Sequence, residues 1–168
     1  ILDLCLSCKA CKSECPSNVD MAKLKAEFLQ HYYESNGIPL RTRLIANISK
    51  INQLGGIAPN LYNYINQHPK LGSLIKKQLG FAQERSIPKL HQTTLKKWYK
   101  KEGKRIKAKG RTVYFFADEF TNFNDTDTGI KAIQLLEKLG YEVIIPKHHE
   151  SGRTYLSKGL VKQAKVIA

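Results

Sequence analysis

The chain lacks the long apolar segment that a membrane-spanning helix requires. None of its 168 residues belong to a run that approaches the ~20 consecutive apolar residues needed to cross a bilayer. A charged segment followed by an apolar one, typical of a secretory leader, is also missing from the first residues. We therefore expect a cytoplasmic protein, and leave open a peripheral association with the inner membrane.

Acidic residues are scarce. The sequence has 14 Asp and Glu against 28 Lys and Arg, which gives a formal charge of +14. Ten of the basic residues and one acid lie between Lys89 and Arg111, where little apolar periodicity remains. We interpret residues 96–111 as a solvated basic linker. Because Trp98, Tyr99 and Tyr114 lie close by, a nucleic-acid-binding module is the alternative. We favour it less, since no nucleic-acid fold motif accompanies the charge.

Cysteine occurs at only four positions, all within eleven residues: Cys5, Cys8, Cys11 and Cys15. Such crowding argues against a disulfide framework, because disulfides stabilise mainly by closing long loops. The run CLSCKACKSECP has the spacing C-x2-C-x2-C-x3-C-P, with which bacterial ferredoxins hold a [4Fe–4S] cluster. Structural zinc sites usually pair two short knuckles across a longer loop. The spacing therefore predicts an iron–sulfur site, with a zinc-stabilised interaction module as the alternative.

The same spacing leaves the role of the fourth cysteine open. In two-cluster ferredoxins the fourth cysteine of each run binds the other cluster. Either Cys15 completes its own cluster, or it serves a second cluster whose other ligands come from a second ferredoxin motif. Because the chain begins at Ile1 and ends on an apolar run, we expect it to be part of a longer protein that carries this motif upstream.

Helical signals fill residues 1–95. Ser17 or Asp20 is expected to cap a helix that runs to Asn36-Gly37. Three more helices are expected after Pro39, Pro59 and Pro69, the first of them continuing to Gly55-Gly56. Four tyrosines at helical spacings are expected to line the core of this module: Tyr32, Tyr33, Tyr62 and Tyr64. The pattern predicts an all-helical module beside the cysteine run.

Residues 112–168 have a different pattern. A β-rich run at 112–117, a helical pattern at 127–139 and a second β-rich run at 141–145 predict a βαβ unit with a parallel strand pair. Asp125 or Asp127 is expected to cap the intervening helix. A parallel pair needs cover on both faces, so we expect this half-domain to be truncated. The fold class is therefore α+β.

The cysteine run and the βαβ segment resemble those of a known family. The run CLSCKACKSECPSNVDMAKLK, residues 5–25, resembles the second ferredoxin motif of fused FAD-linked oxidoreductases that act on 2-hydroxy acids. This group includes D-2-hydroxyglutarate and D-lactate dehydrogenases and the glycolate oxidase iron–sulfur subunit. The run VYFFADEFTNFNDTDTGIKAIQLLEKLGYEVIIP, residues 113–146, resembles the opening of their cysteine-rich CCG domain.

The resemblance implies a ferredoxin-like [4Fe–4S] module at 1–95 and a partial CCG-type domain at 112–168. By this resemblance Cys5, Cys8, Cys11 and Cys15 are cluster ligands, and Lys9, Ala10, Lys12 and Ser13 form the loop that tunes its potential. The chain then carries electrons for an oxidoreductase whose FAD lies in a domain upstream, and it is not catalytic alone. An electron acceptor, a quinone or a carrier protein, is the further implied partner. The isolated piece is expected to lose its cluster readily.

One stretch departs from the family. Residues 150–165, ESGRTYLSKGLVKQAK, align with the family's CCGRPL-S-G stretch, but Glu150-Ser151 stand where relatives have paired cysteines. Thiolate chemistry is therefore excluded at this place. His148, His149 and Glu150 are either metal ligands of another kind or surface residues of a loop before a helix.

Overall fold

The computed structural model describes Cys5, Cys8, residues 10–102 and residues 111–167. In these residues the chain forms two compact units. The first unit comprises the chain up to Ile48 together with the C-terminal residues from Ser151 onward. The second unit comprises Ser49–Glu150.

The described residues are mostly helical, with one small sheet. In chain order the elements are α1 (Ala10–Glu14), α2 (Met21–Asn36), α3 (Leu40–Ala46), α4 (Ile48–Gly55), α5 (Pro59–Gln67), α6 (Pro69–Gln78), α7 (Leu95–Lys101), β1 (Thr112–Tyr114), α8 (Glu119–Phe123), α9 (Thr126–Lys138), β2 (Glu142–Ile144), α10 (Arg153–Ser157) and α11 (Val161–Ile167). This composition agrees with the predicted α+β class.

The helix ends in the N-terminal part follow the capping signals of the sequence. Asp20 caps α2 by accepting a hydrogen bond from the Lys23 backbone N–H at 3.0 Å. Gly37 ends that helix with a positive φ of 80°. Pro59 and Pro69 occupy the first turns of α5 and α6, where a missing backbone N–H costs nothing. These starts and stops confirm the predicted ones.

The first unit joins the two ends of the chain. Its core consists of Ala46, Tyr155, Leu160 and Ala164, with Tyr33, Ile38 and Ile167 packed against it. The Thr154 hydroxyl donates to the Ala46 carbonyl at 2.9 Å, and the backbone N–H of Lys162 donates to Gln30 Oε1 at 3.1 Å. Residues 153–167 therefore pack with α2 and α3, so the compact units have different boundaries from the predicted domains.

The second unit contains the sheet. Strands β1 and β2 pair in parallel with Thr112 opposite Glu142 and Tyr114 opposite Ile144, which confirms the predicted parallel pair. Between the strands, α9 lies where the helix was predicted. The core of this unit contains Leu95, Ala117, Ile133 and Val143.

Three elements differ from the sequence prediction. The helix expected from Pro39 to Gly55 is two helices: α3 ends at Ala46 with Asn47 as its C-cap, and α4 begins at Ile48. The loop before α9 contains the short helix α8, which Asp118 caps by accepting from the backbone N–H groups of Phe120 and Thr121 at 3.0 and 2.7 Å. Asp125 takes the N-cap position of α9 without a side-chain capping bond.

The predicted linker also differs at its first residues. Leu95 is fully buried, and α7 continues through Lys101 rather than forming extended chain. Trp98 and Tyr99 pack against the core of the second unit, and the Tyr99 hydroxyl donates to the Val143 carbonyl at 2.6 Å. Residues 103–110 of the predicted linker lie outside the described residues.

Candidate functional site

The cysteine run surrounds a short helix. Cys11 lies within α1, and Cys15 directly follows it. The Ser13 hydroxyl donates to the Ala10 carbonyl at 2.9 Å and closes one turn of this helix. Ala10, Lys12 and Ser13, expected in a loop, are therefore helical; Lys9 lies outside the described residues. None of the four cysteines forms a disulfide, and Cys5, Cys8 and Cys11 are exposed.

Cys15 lies in a turn that favours a thiolate. Hydrogen bonding by the backbone N–H groups of Val19, Ser17 and Asn18 lowers the pKa of its thiol, although desolvation acts in the opposite direction. The turn itself is held by the Asn18 N–H, which donates to the Cys15 carbonyl at 2.9 Å, and Asn18 has a positive φ of 53°. A thiolate is the form of cysteine that binds metal.

The four sulfur atoms are not gathered around one point. In the part of the chain that the structure describes, no group of three or more His, Cys, Asp or Glu side chains is arranged to hold a metal ion. The donor types suit an iron–sulfur cluster, since thiolates are its usual ligands. The assignment of Cys5, Cys8, Cys11 and Cys15 as ligands therefore stays a prediction.

Lys25 is a site residue that the sequence analysis missed. Only 7% of its surface is exposed, and its Nζ donates to the Cys5 carbonyl at 2.8 Å. Within the described residues, no carboxylate pairs with this ammonium group. Of the two lysines predicted to act on the cysteines, Lys9 lies outside the described residues, and Lys12 Nζ lies 3.9 Å from Asp20 Oδ2 with its side chain about half exposed. A buried cation is thus bonded directly to the backbone of a predicted ligand.

The position of Lys25 follows from the face that α2 buries. The buried residues of this helix are Ala22, Lys25, Ala26 and Gln30. The apolar residues Met21, Leu24, Phe28 and Tyr32 are instead 45–56% exposed. Tyr32 therefore does not line the core as expected, and neither does Tyr64, which is 62% exposed. The signal that would have found Lys25 is the recurrence of small residues at its flanks, Ala22 and Ala26.

His148 and Glu150 follow the carboxyl end of β2, two positions apart in the chain. The His148 ring stacks on Phe116, which follows β1, with 4.3 Å between ring centroids and 30° between planes. His148 Nε2 and Glu150 Oε2 are both buried, and neither has a hydrogen-bond partner in the described part of the chain. His149 is exposed, and its carbonyl lies 2.6 Å from His148 Nδ1.

The aromatic rings of the basic stretch take part in packing. Trp98 and Tyr99 are partly buried and pack against the core of the second unit. Tyr114 is 73% exposed, but it stands in β1 rather than on α7. Of the residues that suggested a nucleic-acid-binding module, the described ones that are exposed are thus mainly lysines, together with Arg111 and Tyr114.

No described helix combines the length and the apolar character needed to pass through a bilayer.

Comparison with known proteins gives one group of relatives. The chain is 28% identical over 167 residues to a D-2-hydroxyglutarate dehydrogenase of Escherichia coli (strain K12), covering 95% of the chain and 16% of that protein. It is 25% identical over 172 residues to one from Haemophilus influenzae, covering 96% and 17%. It is 24% identical over 167 residues to one from Pseudomonas putida, covering 94% and 16%. No family model and no solved structure matches the chain.

The chain thus spans about a sixth of the length of the curated relatives it matches. These relatives bear the name of one of the enzymes in the group that the cysteine run and the βαβ segment resemble. The coarser part of that resemblance, to a segment of a 2-hydroxy-acid dehydrogenase, is therefore confirmed: nearly the whole chain is similar to a stretch of D-2-hydroxyglutarate dehydrogenases.

Proposed function

We propose that the chain is the electron-transfer segment of a 2-hydroxy-acid dehydrogenase and that Cys5, Cys8, Cys11 and Cys15 bind iron–sulfur. D-2-hydroxyglutarate is the substrate that the relatives' name favours; D-lactate and glycolate are the other candidates. The substrate is oxidised at a FAD domain outside this chain, and a quinone or a carrier protein accepts the electrons. When bound, a [4Fe–4S] cluster supplies transfer of one electron at a time.

The observation that carries the proposal is the buried ammonium of Lys25 on the backbone of Cys5. Removing a charge from water costs several kcal/mol unless an opposite charge or several hydrogen bonds offset it. One carbonyl at 2.8 Å offsets only part of that cost. In this proposal, thiolates of the same cysteine run supply negative charge, so the buried lysine and an anionic cysteine site stabilise each other.

The remaining residues of the loop have consistent roles. The turn that lowers the pKa of Cys15 prepares this sulfur as a ligand, and Asp20 fixes the start of α2 so that Lys25 reaches the loop. Positive charge near the cysteines stabilises the reduced, more negative form of a cluster. It therefore raises the reduction potential of the cluster. Lys25 is therefore a positioning and tuning residue, not a ligand.

For the second unit we propose that β1, α9 and β2 form the CCG-type half-domain that the sequence resembles. The parallel pair and its crossover helix support this assignment. The half-domain lacks the paired cysteines of the family at 150–151, so its role in this chain does not involve thiolate ligands.

Cysteine-to-serine variants test the proposal. After reconstitution with iron and sulfide without oxygen, we expect the native chain to show the electron paramagnetic resonance signal of a reduced cubane. Cys8→Ser and Cys11→Ser should abolish it, because each removes a ligand from the shared run. Ser13→Ala, on the same helix but without a thiol, is the matched control and should keep the signal. A native chain that shows no cluster signal after reconstitution contradicts the proposal.

A further inference from the structure

The carboxyl edge of the β1–β2 pair carries a second group of potential ligands. The pairing extends past the strands, since the Phe115 N–H donates to the Ile144 carbonyl at 2.8 Å. In open α/β sheets, ligands bind beyond the carboxyl ends of parallel strands. Phe116 follows one strand and His148 the other, and their rings stack at this edge. The edge is therefore where a ligand site is expected in this half-domain.

Hydrogen bonding fixes the state of the His148 ring. Its Nδ1 lies 2.6 Å from the His149 carbonyl, and a carbonyl only accepts, so Nδ1 carries the proton. In the neutral ring, Nε2 then presents a lone pair. This arrangement, with one ring nitrogen donating to a backbone carbonyl and the other left open, is the usual one for a metal-binding histidine.

The two side chains each have one acceptor atom without a hydrogen-bond partner in the described residues. His148 Nε2 and Glu150 Oε2 are buried acceptors, and no donor reaches either of them in the described residues. Buried acceptors without a donor are rare in folded proteins. An imidazole nitrogen and a carboxylate oxygen are both ligands of zinc and of similar divalent transition metals. A divalent cation is therefore one kind of ligand that suits both atoms.

We propose that His148 Nε2 and Glu150 Oε2 bind a divalent transition-metal ion, for which zinc is the reference. Since no third His, Cys, Asp or Glu joins them within the described residues, water fills the other coordination positions. Phe116 covers one face of the His148 ring and restricts its rotation. The result is an open site with exchangeable water, chemically distinct from the cysteine run and independent of it.

The test uses the full chain with Cys5, Cys8, Cys11 and Cys15 all changed to serine, so that the cysteine run no longer binds zinc. Titration with zinc against a chromophoric chelator should show one ion per chain. His148→Ala and Glu150→Gln, added singly, should weaken binding at least about tenfold. His149→Ala is the matched control, because it keeps the carbonyl that orients His148 and removes only an exposed ring; it should bind as the parent does.

Nuclear magnetic resonance of the His148 ring supplies a readout that needs no substitution at the site. Zinc should shift the Nε2 resonance and leave Nδ1 protonated, even if a variant fails to fold. The proposal is overturned if the quadruple-serine chain binds no zinc, because ordinary water then satisfies both acceptors. An equal loss of affinity in His149→Ala, or an unshifted Nε2 resonance at saturating zinc, also overturns it. Because no cysteine remains, each of these outcomes leaves the electron-transfer proposal untouched.

Discussion

At the scale of single residues, Lys25 has the most specific consequence. Its ammonium is bonded to the Cys5 carbonyl and is shielded from water, so its charge acts on the cysteine loop with little screening. Lys12, in contrast, is paired with Asp20 and about half exposed, so its charge is partly neutralised and partly screened by water. Of these two described lysines, Lys25 should therefore have the larger charge effect on the cysteines.

Replacing this charge should change the properties of a bound cluster. Lys25→Met should lower the reduction potential, because the reduced cluster loses a nearby positive charge, and should weaken cluster retention about tenfold. Lys25→Arg, which keeps the charge, should restore both in large part. Redox titration of the reconstituted chain measures the potential. Lys23→Met, on the exposed side of the same helix, is the control; a shift as large as that of Lys25→Met in this variant contradicts the assignment.

Cys15 should titrate below the usual range for a thiol. Its pKa is lowered in the folded chain by backbone N–H groups, first that of Val19, and these bonds are lost on unfolding. A chain with Cys5, Cys8 and Cys11 changed to serine isolates this thiol. The rate of its alkylation by iodoacetamide should rise with pH at a lower midpoint in the folded chain than in urea. Equal midpoints in the two states would show that the turn does not stabilise the thiolate.

At the scale of elements, α7 belongs to the second unit rather than to a linker. Leu95 is fully buried at its start, next to Ile133 and Val143. Leu95→Ala should lower the free energy of unfolding by about 2–5 kcal/mol, the range for buried leucines. Fluorescence of Trp98, the single tryptophan, follows urea unfolding of this unit. Lys97 is exposed, so Lys97→Ala should change the free energy of unfolding little. A comparable decrease in both variants would indicate that helix α7 is lost, rather than the packing of Leu95.

The stability of the packing between α2 and α11 should depend on pH. Lys162 Nζ lies 2.6 Å from Glu34 Oε1, and this bond, with one from Gln30, lowers the pKa of Glu34. Because the folded pKa lies below the unfolded one, the stabilisation is present above the unfolded pKa and is lost as the pH falls through the folded pKa. Glu34→Gln should therefore lower the unfolding temperature modestly at pH 7.

The difference between Glu34→Gln and the native chain should shrink toward zero in acid, where native Glu34 is protonated. Scanning calorimetry at several pH values measures this convergence. Glu27→Gln, on the same helix, is the control for the loss of a negative charge. A destabilisation by Glu34→Gln that persists undiminished in acid excludes the ion pair as its cause.

Local chemistry made much of this fold predictable. Asp20, Gly37, Pro59 and Pro69 fix helix ends through the backbone groups beside them, which a single sequence displays directly. The β1–α9–β2 order is also local, because short connections and a crossover helix imply a parallel pair.

Long-range packing was not predictable in the same way. The buried face of α2 consists of small and polar residues, and the rule that apolar residues point inward fails there. The partners of α10 and α11 lie more than a hundred residues earlier, as the 2.9 Å bond from Thr154 to Ala46 illustrates. Lys25 was missed for the same reason, because it lies on this buried face of α2 among small and polar residues.

At the scale of the whole molecule, the similarity to D-2-hydroxyglutarate dehydrogenases and the cysteine run fit one another. The relatives are about six times as long as this chain, and the matched segment covers 95% of the chain. Oxidation of a 2-hydroxy acid releases two electrons, and a one-electron carrier connects such a reaction to a quinone or a carrier protein. The central claim is therefore the identity of the metal at the cysteine run.

Metal analysis tests that claim most directly. Iron, acid-labile sulfide and zinc should be measured per chain, on protein purified and reconstituted without oxygen. We predict about four irons with matching sulfide, as a cubane held by Cys5, Cys8, Cys11 and Cys15 requires, and no zinc beyond the single ion proposed for His148 and Glu150. Removal of the cluster with a chelator should release iron and sulfide together. Stoichiometric zinc without sulfide, or a chain that binds neither iron nor sulfide, would contradict the electron-transfer function.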